Sequence, residues 1–132
     1  MAERMLRILL RLMALGELSA FFAIFLPHAW MGRTHEWLGM GAFPEAPVVD
    51  YLARTLSALY VFHGGVLWIV AGDLRRYLAL LTWVIYTGIA FGVLVTVAGM
   101  QAGFPLWWTF GEGPFLVVLS VLFLLLQRKV PL

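Results

Sequence analysis

The chain has 132 residues, 63% of them hydrophobic and only 12% charged, with a mean hydropathy of +0.94. A soluble domain carries about a quarter charged residues, so this composition excludes one and points to an integral membrane protein. The formal charge of +2 comes from basic residues at the ends of apolar runs, a pattern of membrane orientation rather than nucleic-acid binding, and the absence of cysteine excludes disulfide, thiolate-metal and CxxC redox chemistry within the chain.

A helix needs about 20 apolar residues to cross a hydrocarbon core roughly 30 Å thick. The first candidate runs from about residue 6 to 26 and is stopped by Pro27. Its basic head and apolar body resemble a signal peptide, but Glu17 interrupts the apolar part and no A-x-A-like site follows, so a retained first helix is expected. Residues 27–50 form the one long connection, with three Pro, three Gly, Trp30 and Trp37. It reads as an outer loop or short helix lying in the headgroup layer. The second helix is expected over about 51–71, ended by Gly72-Asp73, and the third over about 77–99. The fourth is clear only from Pro114 and needs Trp107–Gly113 to span, giving about 107–127. The expected fold is all-α: a polytopic, antiparallel four-transmembrane-helix bundle forming one domain over 1–132.

Arg4, Arg7, Arg11, Arg75, Arg76, Arg128 and Lys129 fall on one side of this arrangement, with only Arg33 and the membrane-edge Arg54 on the other. The positive-inside rule then puts both termini in the cytoplasm of a bacterial-type inner membrane and the long loop outside.

A lone charge at the bilayer centre costs about 2.5–3.5 kcal/mol on insertion scales, so Glu17 must be protonated, paired or turned inward. At about 1.5 Å per residue, Arg54 and Glu112 lie at similar depths and Arg54 can reach toward Glu17. The economical reading is an interior cluster of Glu17, Arg54 and Glu112, with Tyr60, Ser57 or Tyr86 as hydrogen-bond donors. Such a cluster is either a structural pairing that fixes helix register or a ligand-binding or proton-handling site. His63 competes for Glu17, but it sits half a turn from Arg54 on the helix wheel, on a leucine-rich side with Leu52, Leu56, Leu59, Leu67 and Val70. That side reads as facing lipid or another subunit, with His63 bonded to a backbone carbonyl, and the Arg54 side as interior.

Three further features complete the inventory. His28, His35 and Glu36 allow a divalent metal in the outer loop, though a seven-residue spacing matches no recognised ligand pattern. Gly88-Ile-Ala-Phe-Gly92, extended by Thr96, is a small-residue stripe for close helix packing, with Trp83 and Tyr86 a turn earlier as cavity-lining or core-filling aromatics. In Gly111-Glu112-Gly113-Pro114 the proline suits a first helical turn and Glu112 can cap it, while the glycines allow a backbone break.

Arg11 with Gly16, the Pro- and Trp-containing loop, Tyr51-Leu-Ala-Arg54 and four helices in about 130 residues together resemble the DoxX-like membrane proteins. That resemblance implies a small four-helix protein tied to respiratory or thiol-related complexes and quinone chemistry; the missing cysteines speak against the thiol role. Trp83-Val-Ile-Tyr86-Thr-Gly88 and a glutamate in the first helix are similar to small multidrug transporters, whose first loop is short. The expected function is a non-catalytic bundle, acting as an accessory subunit or binding a lipid-like or quinone-like molecule. The alternative is a proton-coupled transporter using Glu17. No nucleophile–base pair or metal constellation suggests an enzyme, and no cofactor is specified. Expected partners are the bilayer, a second copy or larger membrane complex, and an apolar small molecule.

Overall fold

The computed structural model describes residues 1–130. Among them there is no strand; the elements are α1 (Ala2–Leu18), α2 (Phe21–Ile24), α3 (His28–Trp37), α4 (Pro47–Gly72), α5 (Leu78–Ala102) and α6 (Leu106–Gln127). Three of these, α4, α5 and α6, are long and apolar enough to cross a membrane. Their lengths, about 39, 37 and 33 Å at 1.5 Å per residue, exceed the hydrocarbon thickness. The protein is therefore helical and membrane-embedded.

The first expected helix is not continuous. α1 ends at Leu18, Ser19 and Ala20 form a turn, and α2 resumes for a single turn before Pro27. Ser19 Oγ donates to the Gly16 carbonyl at 2.6 Å. The following amides bond three residues back instead of four, Ala20 to Glu17, Ala23 to Ala20 and Leu26 to Ala23. A tightened ladder of this kind marks a kinked helix end.

The chain forms two compact units, one from Met1–Leu9 and the chain from Val70 onward, the other from Leu10–Ile69. In the first, α5 and α6 pack antiparallel along small residues. Gly88 lies against Ser120, Gly92 against the Gly113 carbonyl and Val117, Gly113 against Thr96, and Gly99 against Thr109. Glycines there let the two backbones approach, which is how helices associate in lipid, where leucine gains little by leaving its neighbours. Leu6, Ala71, Leu74, Leu81, Ile85 and Phe123 are buried in this unit.

Two helix ends differ from expectation. α5 continues three residues beyond Gly99 and stops where Gly103 adopts a left-handed φ of 71°, with Gly103 N–H bonding Met100 O and Phe104 N–H bonding Gly99 O. This is a Schellman stop, for which a residue without Cβ is best suited. α6 starts after Pro105, so Glu112 and Pro114 lie inside the helix and cap nothing. Gly111-Glu112-Gly113-Pro114 neither breaks nor begins it. Pro114 forfeits one backbone hydrogen bond, a loss that membrane helices tolerate where neighbours pack closely.

In the second unit, α1 and α4 run antiparallel. A Cβ at Gly64 would lie 2.9 Å from the Ala14 carbonyl, 3.0 Å from Glu17 Cβ and 3.1 Å from Leu18 N. Arg11 sits over the Trp68 ring at 5.4 Å. The contact side of α4 therefore includes Gly64 and the fully buried Leu67. Sequence pattern assigned Leu67 to the lipid-facing side; only Leu52, Leu56 and Leu59 of that set are exposed.

The α5–α6 seam yields a test in which two glycines of the same kind of helix respond oppositely. Gly92→Ala should lower stability by about 1–3 kcal/mol, because its methyl would sit 2.7 Å from a backbone oxygen that cannot yield cheaply. Gly111→Ala, with nothing within 4 Å of the new methyl, should be neutral or stabilising by up to about 1 kcal/mol. Thermal unfolding in detergent measures both; equal effects would refute the close approach.

Candidate functional site: polar groups on α1, α3 and α4

The expected cluster of Glu17, Arg54 and Glu112 is not what the side chains form. Glu17 Oε2 lies 2.7 Å from His63 Nδ1. The Glu17 side chain is 12% exposed and that of His63 43%. Gly64 explains the pairing: by letting α4 lie directly on Ala14 and Leu18, it brings the adjacent His63 within reach of Glu17. His63 thus engages a carboxylate, not a backbone carbonyl. Its Nε2 makes no hydrogen bond among the described residues.

Which atom of the Glu17–His63 contact carries the proton determines what Nε2 offers. If Nδ1–H donates to the carboxylate of a neutral imidazole, Nε2 is an acceptor. If a protonated Glu17 donates to Nδ1, Nε2–H is a donor, and an imidazolium donates from both nitrogens. The first of these states is anionic; the other two hold one more proton and are neutral overall, the form a hydrocarbon environment favours, and in both of them Nε2–H is a donor.

Arg54 turns elsewhere. Its Nη1 donates to the Ile24 carbonyl, its Nη2 to the Leu26 carbonyl at 3.0 Å and its Nε to Asp50 Oδ2 at 3.1 Å. The end of α2 ahead of Pro27 leaves carbonyls without helical partners, and the planar guanidinium supplies donors in a fork that spans two of them. Asp50 in turn meets His28 Nδ1 at 3.1 Å, and His28 Nε2 lies 3.3 Å from Glu45. The chain Glu45–His28–Asp50–Arg54 ties α3 and the loop after it to α4 and to the end of α2.

Ser57 Oγ donates to the Ala53 carbonyl at 2.8 Å, and Tyr60 is half-buried on α4. The Glu112 carboxylate makes no hydrogen bond or ion pair among the described residues. Trp83 and Tyr86 are 67% and 53% exposed, on the side of α5 away from Leu81, Ile85, Gly88 and Gly92. Gly88, Gly92 and Thr96 all lie on the α6 contact.

In the outer segment, His35 Nδ1 pairs with the Gly41 carbonyl at 2.9 Å. His28 and His35, two turns apart on α3, both pack on Phe43, at ring distances of 5.2 and 5.4 Å. Glu36 lines an open cleft of about 360 Å³ with His28, Arg33, Phe43 and Glu45. Among the described residues no three metal-ligating side chains converge, and His28, His35 and Glu36 make the separate contacts given above.

Comparison with family models, curated proteins and solved structures returns no match. The chemistry of the site is therefore read from its own atoms.

Arg54→Met should lower stability by about 2–3 kcal/mol, the loss of hydrogen bonds donated by a charged group. Hydrogen exchange should accelerate specifically at residues 24–37. Arg54→Lys should restore only part of this, because an ammonium cannot fork across two carbonyls and a carboxylate. Unchanged exchange in both variants would show that the kink is held by other contacts.

Proposed function

We propose that this chain is a four-span, DoxX-like protein of a bacterial-type inner membrane that binds an apolar molecule bearing a carbonyl or hydroxyl group, quinone-like or lipid-like, at the Glu17–His63 pair. It acts as an accessory component and not as an enzyme. The observation that carries this reading is the 2.7 Å contact between a nearly buried carboxylate and a half-exposed imidazole on an apolar helix. His63 lies nine residues before Gly72, roughly 13 Å along α4, at a depth reached by the ring or headgroup of a membrane-dissolved molecule and by little water. Backed by Glu17, its Nε2–H donates to a carbonyl when the pair is neutral, and its Nε2 accepts from a hydroxyl when the pair has given up one proton and is anionic.

A proton-coupled small transporter using Glu17 is the alternative, supported by the same shared proton. The two readings separate on what Glu17→Gln does. In the binding reading, native mass spectrometry of the purified protein finds an apolar adduct that is retained about tenfold or more weakly in Glu17→Gln and His63→Ala, the loss expected for one charge-assisted hydrogen bond. Arg54→Met keeps the adduct, since Arg54 spends its nitrogens on α2 and Asp50. In the transport reading, nothing is retained, but proton-driven uptake into vesicles vanishes in Glu17→Gln. Absence of both adduct and uptake in the wild type would reject the pair as a functional site.

The fourth span is α1 with its one-turn continuation α2, which together reach from Ala2 to Ile24. The positive-inside distribution supports cytoplasmic termini. Because the chain has no cysteine, single replacements report sidedness cleanly. In intact cells a membrane-impermeant thiol reagent should label Ala42→Cys and spare Ala2→Cys and Asp73→Cys. Labelling of Ala2→Cys together with Ala42→Cys would mean that α1 does not cross and that three spans suffice.

A further inference from the structure

Six of the nine basic residues lie in the unit made from the start of α1 and the chain after Val70. Two hydrogen-bonded contacts gather the elements that carry them. Arg7 Nη1 donates to the Ala71 and Gly72 carbonyls, both at 2.7 Å, which holds the first turns of α1 beside the Asp73–Arg76 turn. Gln127 Nε2 donates to Thr82 Oγ1 at 2.8 Å, which holds the end of α6, and with it Arg128 and Lys129, beside the start of α5. Arg75 and Arg76 immediately precede that start.

Among the described residues, the two acidic side chains of this end are already engaged. Glu3 pairs with Arg7 at 3.0 Å, and Asp73 Oδ1 accepts from the Arg76 backbone amide at 3.1 Å. Arg4, Arg75, Arg128 and Lys129 are exposed with no side-chain hydrogen bond or ion pair among the described residues, and Arg76 has only the Tyr77 ring, 5.6 Å from its guanidinium carbon. Five cations without an anionic partner therefore share one end of the unit. A free phosphate would need only the charges. Here exposed apolar side chains lie within a turn or so of them, Met5 and Ile8 on α1, Leu80 on α5 and Leu125 on α6. Charge beside exposed hydrocarbon is the complement of an anionic headgroup on acyl chains.

We infer that this end is a binding site for an anionic phospholipid, with Arg75 and Arg76 on one side and Arg128 and Lys129 on the other gripping its phosphate, while Leu80 and Leu125 receive its chains. The site is separate from the Glu17–His63 pair and needs neither of those residues. A juxtamembrane cation near an anionic surface changes lipid retention by roughly fivefold, so each paired removal should be readily visible.

The test is retention of phosphatidylglycerol against phosphatidylcholine by the full chain purified from mixed-lipid nanodiscs. The wild type should keep phosphatidylglycerol preferentially, and the preference should fall by roughly fivefold per cation in Arg75→Gln/Arg76→Gln and in Arg128→Gln/Lys129→Gln. Arg33→Gln, a cation outside this unit, should leave it unchanged. In the wild type, rising salt should erode the preference, because exposed charges are screened; this arm does not depend on any variant folding. Equal retention of the two lipids, a preference that survives both double variants, a preference indifferent to salt, or displacement of the lipid by inorganic phosphate alone would each overturn the assignment.

Discussion

A charged or hydrogen-bonding group in hydrocarbon has to find its partner within its own reach, because no water is there to supply one. Glu17 and Arg54 meet this constraint in different ways, and most of the fold of the Leu10–Ile69 unit follows from the difference. Arg54 is consumed by its surroundings: all three guanidinium nitrogens are bonded, two of them to carbonyls that the end of α2 leaves free. The stop at Pro27 would otherwise expose the Ile24 and Leu26 carbonyls. Arg54 is thus what lets the first helical stretch end where it does.

Glu17 is met by His63, and that contact depends on a residue with no chemistry of its own. Were Gly64 to carry a Cβ, α4 would have to move away from the Ala14 carbonyl and the Leu18 amide, and His63 would move with it. The polar pair and the small residue beside it form a single device: close backbone approach sets the distance, and the imidazole–carboxylate contact uses it. α5 and α6 share the first half of that device along Gly88, Gly92, Gly99 and Gly113, but the polar side chains placed against it are hydroxyls, from Thr96, Thr109 and Ser120.

The apolar runs that make α4, α5 and α6 were legible in the sequence, because hydropathy over 20 residues measures the property that lipid selects. Which side of each helix faces inward was not. In water a leucine-rich face is a buried face; in lipid leucine is at home on either side, so the row Leu52, Leu56, Leu59, His63, Leu67 splits between exposed and buried positions, and assigning it to lipid or another subunit set His63 aside as the competing partner of Glu17 in favour of Arg54. The better signal was His63-Gly64-Gly65, since small residues mark where helices touch. Gly88, Gly92 and Thr96, singled out on that logic, lie on the α5–α6 contact. Arg54 was paired with carboxylates because side chains have letters and carbonyls do not. Its acceptors at Ile24 and Leu26 exist only once the helix end before Pro27 is known to leave them unbonded, and Glu112 was assigned as a cap because Gly-Glu-Gly-Pro is punctuation in a soluble chain.

The distinction between a structural and a functional charge here turns on unused valence rather than on burial. Arg54, His28 and Asp50 form a closed chain in which every link ties one segment to another, and removing a link should loosen the outer segment without freeing any group for chemistry. His63 is different: one nitrogen is fixed by Glu17 and the other has no partner among the described residues, on a side chain that remains 43% exposed. A structural bolt would gain by burying both nitrogens or by using a carbonyl acceptor, as His35 does with Gly41. An imidazole held by a carboxylate from behind and left open in front has its ring orientation and its proton both controlled from the protein side, which is the arrangement needed to present either a donor or an acceptor to something arriving through the lipid.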